Sequence, residues 1–220
     1  MNQKKKWAVA IIAIFIVATV IASFGIMAMQ QKISIVPIRV ACVGDSLTEG
    51  TEYPNDLWML LGSNYSVGNF GKGGTMVFSK SPTAYVNETV FEEAKDFQPN
   101  IVVIMLGTND ALPGLNESMD EFVQDYEMLI CEFQALASKP QVWIVKPPPI
   151  FHDGTGLSTL FFEENILPGI EKVANDTALP LIDVYSRLIN HPDYFVDGVH
   201  PYMRGAQIIA DQIYKFLILK

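Results

Sequence analysis

Cysteine is nearly absent: Cys42 and Cys131 are the two among 220 residues. Two cysteines decide little: a single disulfide is permitted outside the cell. Cys42 falls in a short apolar run and reads as a small core residue, and Cys131 falls in an amphipathic segment, so no bridge between them is expected. Histidine is equally scarce. The three, His152, His191 and His200, are too widely spread to form a ligand-spaced cluster, so no metal site is expected; no cofactor is expected either. Basic residues are outnumbered, with 15 Lys and Arg against 24 Asp and Glu and a formal net charge of −9. Lys4, Lys5, Lys6 and Lys32 lie in a segment 1–32 without acids, which leaves about −13 on the remainder. Such a surface repels phosphate backbones and argues against nucleic-acid binding. Internal repeats and low-complexity linkers are also missing, as is any long amphipathic insertion of the kind an interfacial lipase uses.

Charge is absent altogether from residues 7–29, "WAVAIIAIFIVATVIASFGIMAM". At 1.5 Å of rise per residue this run is long enough to cross a bilayer. The lysines in front of it favour a cytoplasmic N-terminus and place the rest of the chain outside. Two outcomes stay open: an uncleaved single-pass anchor, or a signal segment removed near Ala28. The expected organisation is a tip and transmembrane or signal segment over 1–32, a short stalk over 33–37 and one domain over 38–220. The expected location is the outer side of the cell membrane, or secretion if 1–28 is removed. Sequons at Asn64, Asn87, Asn116 and Asn175 are compatible with an exported chain.

Beyond residue 36 short apolar runs alternate with amphipathic stretches. Strands are expected at Ile38–Val43, Ser66–Phe70, Ile101–Leu106, Val142–Val145 and Leu181–Val184, because runs apolar on both faces suit a parallel sheet covered on both sides. Helices are expected at Pro54–Leu61, Glu88–Asp96, Met119–Ala137, Phe161–Ala174 and Tyr202–Leu219, the last with Pro201 in its first turn. This alternation predicts right-handed crossovers and an α/β fold: a three-layer α/β/α sandwich on a five-stranded parallel sheet.

In open parallel sheets ligands bind at the carboxyl ends of the strands. Gly44-Asp45-Ser46 follows the first strand, "NFGKGGT" (69–75) the second, "GTND" (107–110) the third, and "DGVHP" (197–201) precedes the last helix. Together they offer a hydroxyl, a glycine-rich loop, a side-chain amide, and a carboxylate beside an imidazole. A serine hydroxyl needs a base to become a nucleophile, and imidazole ordinarily titrates close to neutrality. A carboxylate must then orient the ring, and Asp197 precedes His200 by three residues with Gly198 easing the turn. The negative oxygen of a tetrahedral intermediate needs donors, for which the Ser46 N–H, the Gly74 N–H and the Asn109 amide are candidates. Alone, Gly-Asp-Ser at a strand end reads as a turn and helix cap. Asp45 with Asp110 also allows a pair of acids, as in glycoside hydrolysis.

"GDSLTEG", "NFGKGG", "GTND" and "DGVH" resemble the four blocks of the SGNH (GDSL) hydrolases over residues 38–219. "YPNDL", "NFGKGGTM", "MLGTND" and "FVDGVHP" resemble the sialate O-acetylesterase-like branch. The resemblance implies a flavodoxin-like sheet and metal-free ester hydrolysis. It makes Ser46 the nucleophile, with Asp197 and His200 completing the triad. Ser46, Gly74 and Asn109 would form the oxyanion hole, and Asp45 would brace the loop.

Because "VKPPPIF" (145–151) follows the fourth strand, Pro148 and Phe151 join Met76 and Phe78 as candidate substrate contacts, and Trp58 and Tyr85 offer further aromatic surface. The expected substrate is a small molecule or glycan bearing short acyl, chiefly acetyl, esters. An acyltransferase with the same triad, a lysophospholipase or lipase acting on longer chains, and a non-catalytic binding module are the alternatives.

Overall fold

The computed structural model describes residues 2–3, 5–7, 12, 14–21, 36–115, 118–152 and 156–219. The chain divides into two units, Met1–Val36 and Pro37–Lys220. In the first, residues 14–21 are helical and exposed. Among the described residues no helix is long and apolar enough to cross a membrane. Of the expected span 7–29, residues 8–11, 13 and 22–29 lie outside the described residues, as do 33–35 of the expected stalk.

The second unit is built on five parallel strands: β1 (Ile38–Gly44), β2 (Tyr65–Gly71), β3 (Ile101–Met105), β4 (Gln141–Lys146) and β5 (Leu181–Asp183). Their order across the sheet is β2-β1-β3-β4-β5. Val40–Val43, Val102–Met105 and Val142–Val145 are all buried, as unbroken apolar runs in a sheet covered on both faces require. The helices that cover it are α1 (Ser46–Glu49), α2 (Tyr53–Leu61), α3 (Thr89–Asp96), α4 (Met119–Gln134), α5 (Leu167–Thr177), α6 (Tyr185–Leu188) and α7 (Met203–Ile218). One layer pairs α2 with α7, whose Phe216 meets Trp143 of β4 edge-on. The other packs α4 on α5 and joins α3 to α4 through Phe91 and Phe133, with ring centroids 5.6 Å apart. The result is the expected three-layer sandwich, and order reversal between β1 and β3 creates a crevice at their carboxyl ends.

Register aligns those ends. Gly44 pairs with Gly71 on one side and Met105 on the other. The helix α1 then lies tight against the sheet. A Cβ on Gly44 would fall 2.0 Å from Thr48 Oγ1 and 2.7 Å from the Met105 carbonyl oxygen, and one on Gly71 would fall 2.1 Å from the Glu49 nitrogen. Close backbone approach demands glycine at both positions.

Three expected helices differ from those observed. The one expected over Met119–Ala137 stops at Gln134. The segment expected as Phe161–Ala174 begins with one turn at Thr159–Phe161, widens into a π-helical stretch at Phe162–Ile166 and continues as α5. Pro168 has no N–H to donate to the carbonyl four residues back, which favours the wider ladder there. The last helix starts at Met203 with Tyr202 as its cap, so Pro201 lies outside its first turn. Instead Pro201 is buried and bridges Phe195 antiparallel. Both cysteines are free.

Candidate active site

Ser46 opens α1, and its helix is capped from the preceding position: Asp45 Oδ1 accepts the Leu47 N–H at 2.9 Å. The cap fixes the strand–helix junction and leaves the half-buried Ser46 hydroxyl facing the crevice. Across it, the segment before α7 folds back on itself. The Val196 N–H donates to the His200 carbonyl at 2.8 Å and the Tyr202 N–H to that of Tyr194 at 2.7 Å. Inside this turn Asp197 Oδ1 accepts the backbone N–H of both Val199 (3.0 Å) and His200 (2.8 Å). The Asp197 Oδ2 lies 2.7 Å from His200 Nδ1, and His200 Nε2 lies 2.8 Å from Ser46 Oγ. With the ring proton on Nδ1, Nε2 is free to accept the serine proton. Partial burial pushes the Asp197 carboxyl up, but the hydrogen bonds from the His200 backbone and ring and from Val199 outweigh this and hold it at about 2.

The loop after β2 supplies the facing wall. The Lys72 N–H donates to the Gly44 carbonyl at 2.9 Å, and the Thr75 hydroxyl to the Lys72 carbonyl at 2.7 Å. Asn109 Nδ2 donates to the Thr75 carbonyl at 2.9 Å, which ties the β3 end to this loop and leaves the second amide hydrogen available. Among the described residues the N–H groups of Ser46 and Gly74 donate to no protein acceptor. Ser46, Gly74, Asn109 and His200 line one crevice of about 490 Å³ together with Met76, Thr83, Leu112, Leu157 and Val199.

Of the four expected substrate contacts, only Met76 lines this crevice. Phe78 is buried; its ring packs edge-on against Phe122 and borders a separate cavity of about 220 Å³. Pro148 is buried too. Phe151 packs on Phe195 with centroids 4.9 Å apart, and its N–H donates to the Gly198 carbonyl at 2.9 Å. Segment 147–151 therefore buttresses the Asp197–His200 turn from outside. Tyr85 is buried and donates to the Phe70 carbonyl; Trp58 is exposed on α2 and donates to the Tyr65 carbonyl. Sequence reasoning missed Thr83, Leu112, Leu157 and Val199 as crevice walls. Val199 lies within a recognised motif and Leu112 two residues after one, and both were accessible on that basis; Thr83 and Leu157 carried no signal.

Asp45 and Asp110 turn away from the crevice and are fully buried. Asp110 accepts the N–H groups of Val77 and Phe78. Burial pushes both carboxyls up to about 7, opposed at Asp45 by the Leu47 N–H and the His200 charge, and at Asp110 by the Val77 and Phe78 N–H groups. Neither can reach a substrate, so the acid pair considered for glycoside hydrolysis is not assembled.

The model of the GDSL-like lipase/acylhydrolase family matches residues 42–208, three quarters of the chain. The chain belongs to this family. Among curated proteins, this family member is 32% identical over 202 residues to an acetylxylan esterase of Xylanibacter ruminicola, covering 80% of the present chain and 42% of the relative. It spans roughly half the length of the curated relatives it matches, 42% of that one and 58% of a GDSL esterase/lipase of Oryza sativa. Among solved structures it is similar to Est24, a carbohydrate acetylesterase of Sinorhizobium meliloti (TM-score 0.66, 17% identity, 82% of this chain and 98% of the other). A carbohydrate esterase family 3 protein of Talaromyces cellulolyticus is comparable (TM-score 0.63, 21% identity, 83% and 97%). At such identities these structures speak for the fold alone.

Proposed function

We propose that the protein is a carboxylic ester hydrolase that removes short acyl groups, acetyl first, from carbohydrate hydroxyls. The observation that carries this reading is the hydrogen-bonded chain Ser46–His200–Asp197, at 2.8 and 2.7 Å, opening into a crevice. In the proposed reaction Ser46 gives its proton to His200 Nε2 as Oγ attacks the ester carbonyl. The Ser46 N–H, the Gly74 N–H and the Asn109 amide receive the negative oxygen, each such donor contributing about 3 kcal/mol to the barrier reduction. His200 then protonates the departing alkoxide, and water repeats the cycle on acyl-Ser46. The acetylxylan esterase relative supports acetylated carbohydrate as the substrate class. The uncharged run 7–29 behind three lysines supports an outward-facing domain at the cell membrane.

The full chain is expected to hydrolyse an aryl acetate, and Ser46→Ala to lower kcat by about 10³-fold or more. Unchanged turnover in that variant would remove Ser46 from the mechanism. An ester series from acetyl to dodecanoyl tests the substrate: rates that rise with chain length would replace a carbohydrate acetyl ester with a lipid one.

A further inference from the structure

Glu49 lies three residues after Ser46 at the end of the same short helix. Its carboxylate leaves the helix and reaches the loop after β2, where Oε2 accepts the Gly73 N–H at 2.6 Å. A Cβ on Gly73 would stand 2.8 Å from that oxygen and 3.6 Å from Ser46 Cβ, so the nucleophile, the carboxylate and this loop are packed together. The loop's other tethers sit at its two ends, at Lys72 and Thr75. Gly73 and Gly74 between them are exposed and have no side chains with which to anchor themselves, and Gly74 holds φ at +78°. The Glu49 bond is thus the tether at the centre, and it is charge-assisted. Lys72 Nζ is 3.9 Å from Glu49 Oε1, with both side chains about half exposed, a pairing that adds little.

We propose that Glu49 is a positioning residue that joins the Ser46 helix to the Gly73–Gly74 segment and so aims the Gly74 N–H at the carbonyl oxygen under attack. The inference rests on the esterase reading above. It explains why a carboxylate stands beside a site that stabilises negative charge: the charge is spent on the adjacent backbone N–H.

The test uses the full chain, an aryl acetate, and phenylboronic acid, which adds to the serine and places an oxygen in the oxyanion site. Glu49→Ala is expected to lower kcat about tenfold or more, because a small displacement of a donor is costly. KM should move by less than about threefold, and boronate affinity should fall in step with kcat. Glu49→Gln, whose amide oxygen accepts the same N–H, should recover at least about a third of the wild-type kcat, and the thermal midpoints of both variants should stay within a few degrees of wild type. A Glu49→Ala enzyme with unchanged kcat, while Ser46→Ala is inactive, overturns the proposal alone. So does a Glu49→Gln variant as impaired as Glu49→Ala. Retained turnover in Ser46→Ala overturns the esterase mechanism and this role with it.

Discussion

Asp197 holds His200 at two points at once: Oδ1 accepts the histidine's backbone N–H at 2.8 Å, and Oδ2 faces its ring Nδ1 at 2.7 Å. One carboxylate therefore fixes both where the residue sits and which ring nitrogen carries the proton. The Val199 N–H shares Oδ1, so the same side chain also closes the turn. Orientation of the base and local backbone order are not separable here by deleting Asp197, but they are separable by replacing one of its oxygens.

Asp197→Asn makes that separation. Its amide oxygen can still take the two backbone N–H groups, while its NH2 now faces Nδ1 and forces the ring proton onto Nε2, the wrong nitrogen to receive one from Ser46. Turnover of an aryl acetate should fall about 10³- to 10⁴-fold with little change in thermal midpoint. Asp197→Ala should lose both. The acid behaviour stems from the depressed carboxyl, held at about 2. The stability it contributes is present above the ordinary carboxylate range and is lost as pH falls through about 2. Because the carboxyl stays ionised down to about pH 2, any loss of activity at higher pH is not its own titration. Rate profiles and chemical unfolding of the two variants check this.

Much of this architecture is legible in the sequence, and the reasons are local. The runs over β1, β3 and β4 are apolar on both faces because the sheet is covered on both faces. The motifs at 44–46, 107–110 and 197–200 sit where chain direction alone brings them to one edge. Side-chain direction is less accessible. Met76 enters the crevice while Phe78, two residues on, turns into the core, because Asp110 captures the Val77 and Phe78 N–H groups and bends the chain between them. Thr83 and Leu157 reach the crevice through backbone bonds outside any helix or strand ladder, Met76 N–H to the Thr83 carbonyl and Ser158 N–H to the Ala111 carbonyl, which no periodicity announces.

The buried acids make a second prediction. Asp45 Oδ2 and the Thr108 hydroxyl are sealed from solvent without a hydrogen bond of good geometry, although the hydroxyl is near enough to ease the carboxylate charge. Burial holds Asp45 and Asp110 protonated up to about pH 7, whereas an unfolded chain releases these protons near pH 4. Between those values the folded state binds more protons, so stability should fall as pH rises from about 4 to 7 and level off above. Asp45→Asn mimics the protonated form and keeps Oδ1 as the α1 cap. Its stability relative to wild type should therefore improve as pH is raised. Urea unfolding of both proteins at pH 5 and pH 8 measures this; a difference that does not grow at pH 8 would mean that Asp45 is ionised throughout.

Gly198 lies, with Val199, between the two residues of the pair on which the site depends. It holds φ at +86°, and a Cβ there would stand 2.4 Å from His152 Nε2, on the ring that lies over the turn. Gly198→Ala carries two costs. The left-handed backbone penalises any L-residue by about 1–2 kcal/mol, and the clash adds to it unless His152 moves. Because Asp197 and His200 flank this position, relief of the strain by backbone rotation would pull the carboxylate off the ring, so kcat should fall by more than stability alone explains. His152 is an exposed side chain, so adding His152→Ala should remove the clash and leave the backbone cost. Thermal unfolding and turnover of the single and double variants distinguish the two. A double variant restored to wild-type activity would assign the whole effect to the ring, and one no better than Gly198→Ala would assign it to the dihedral.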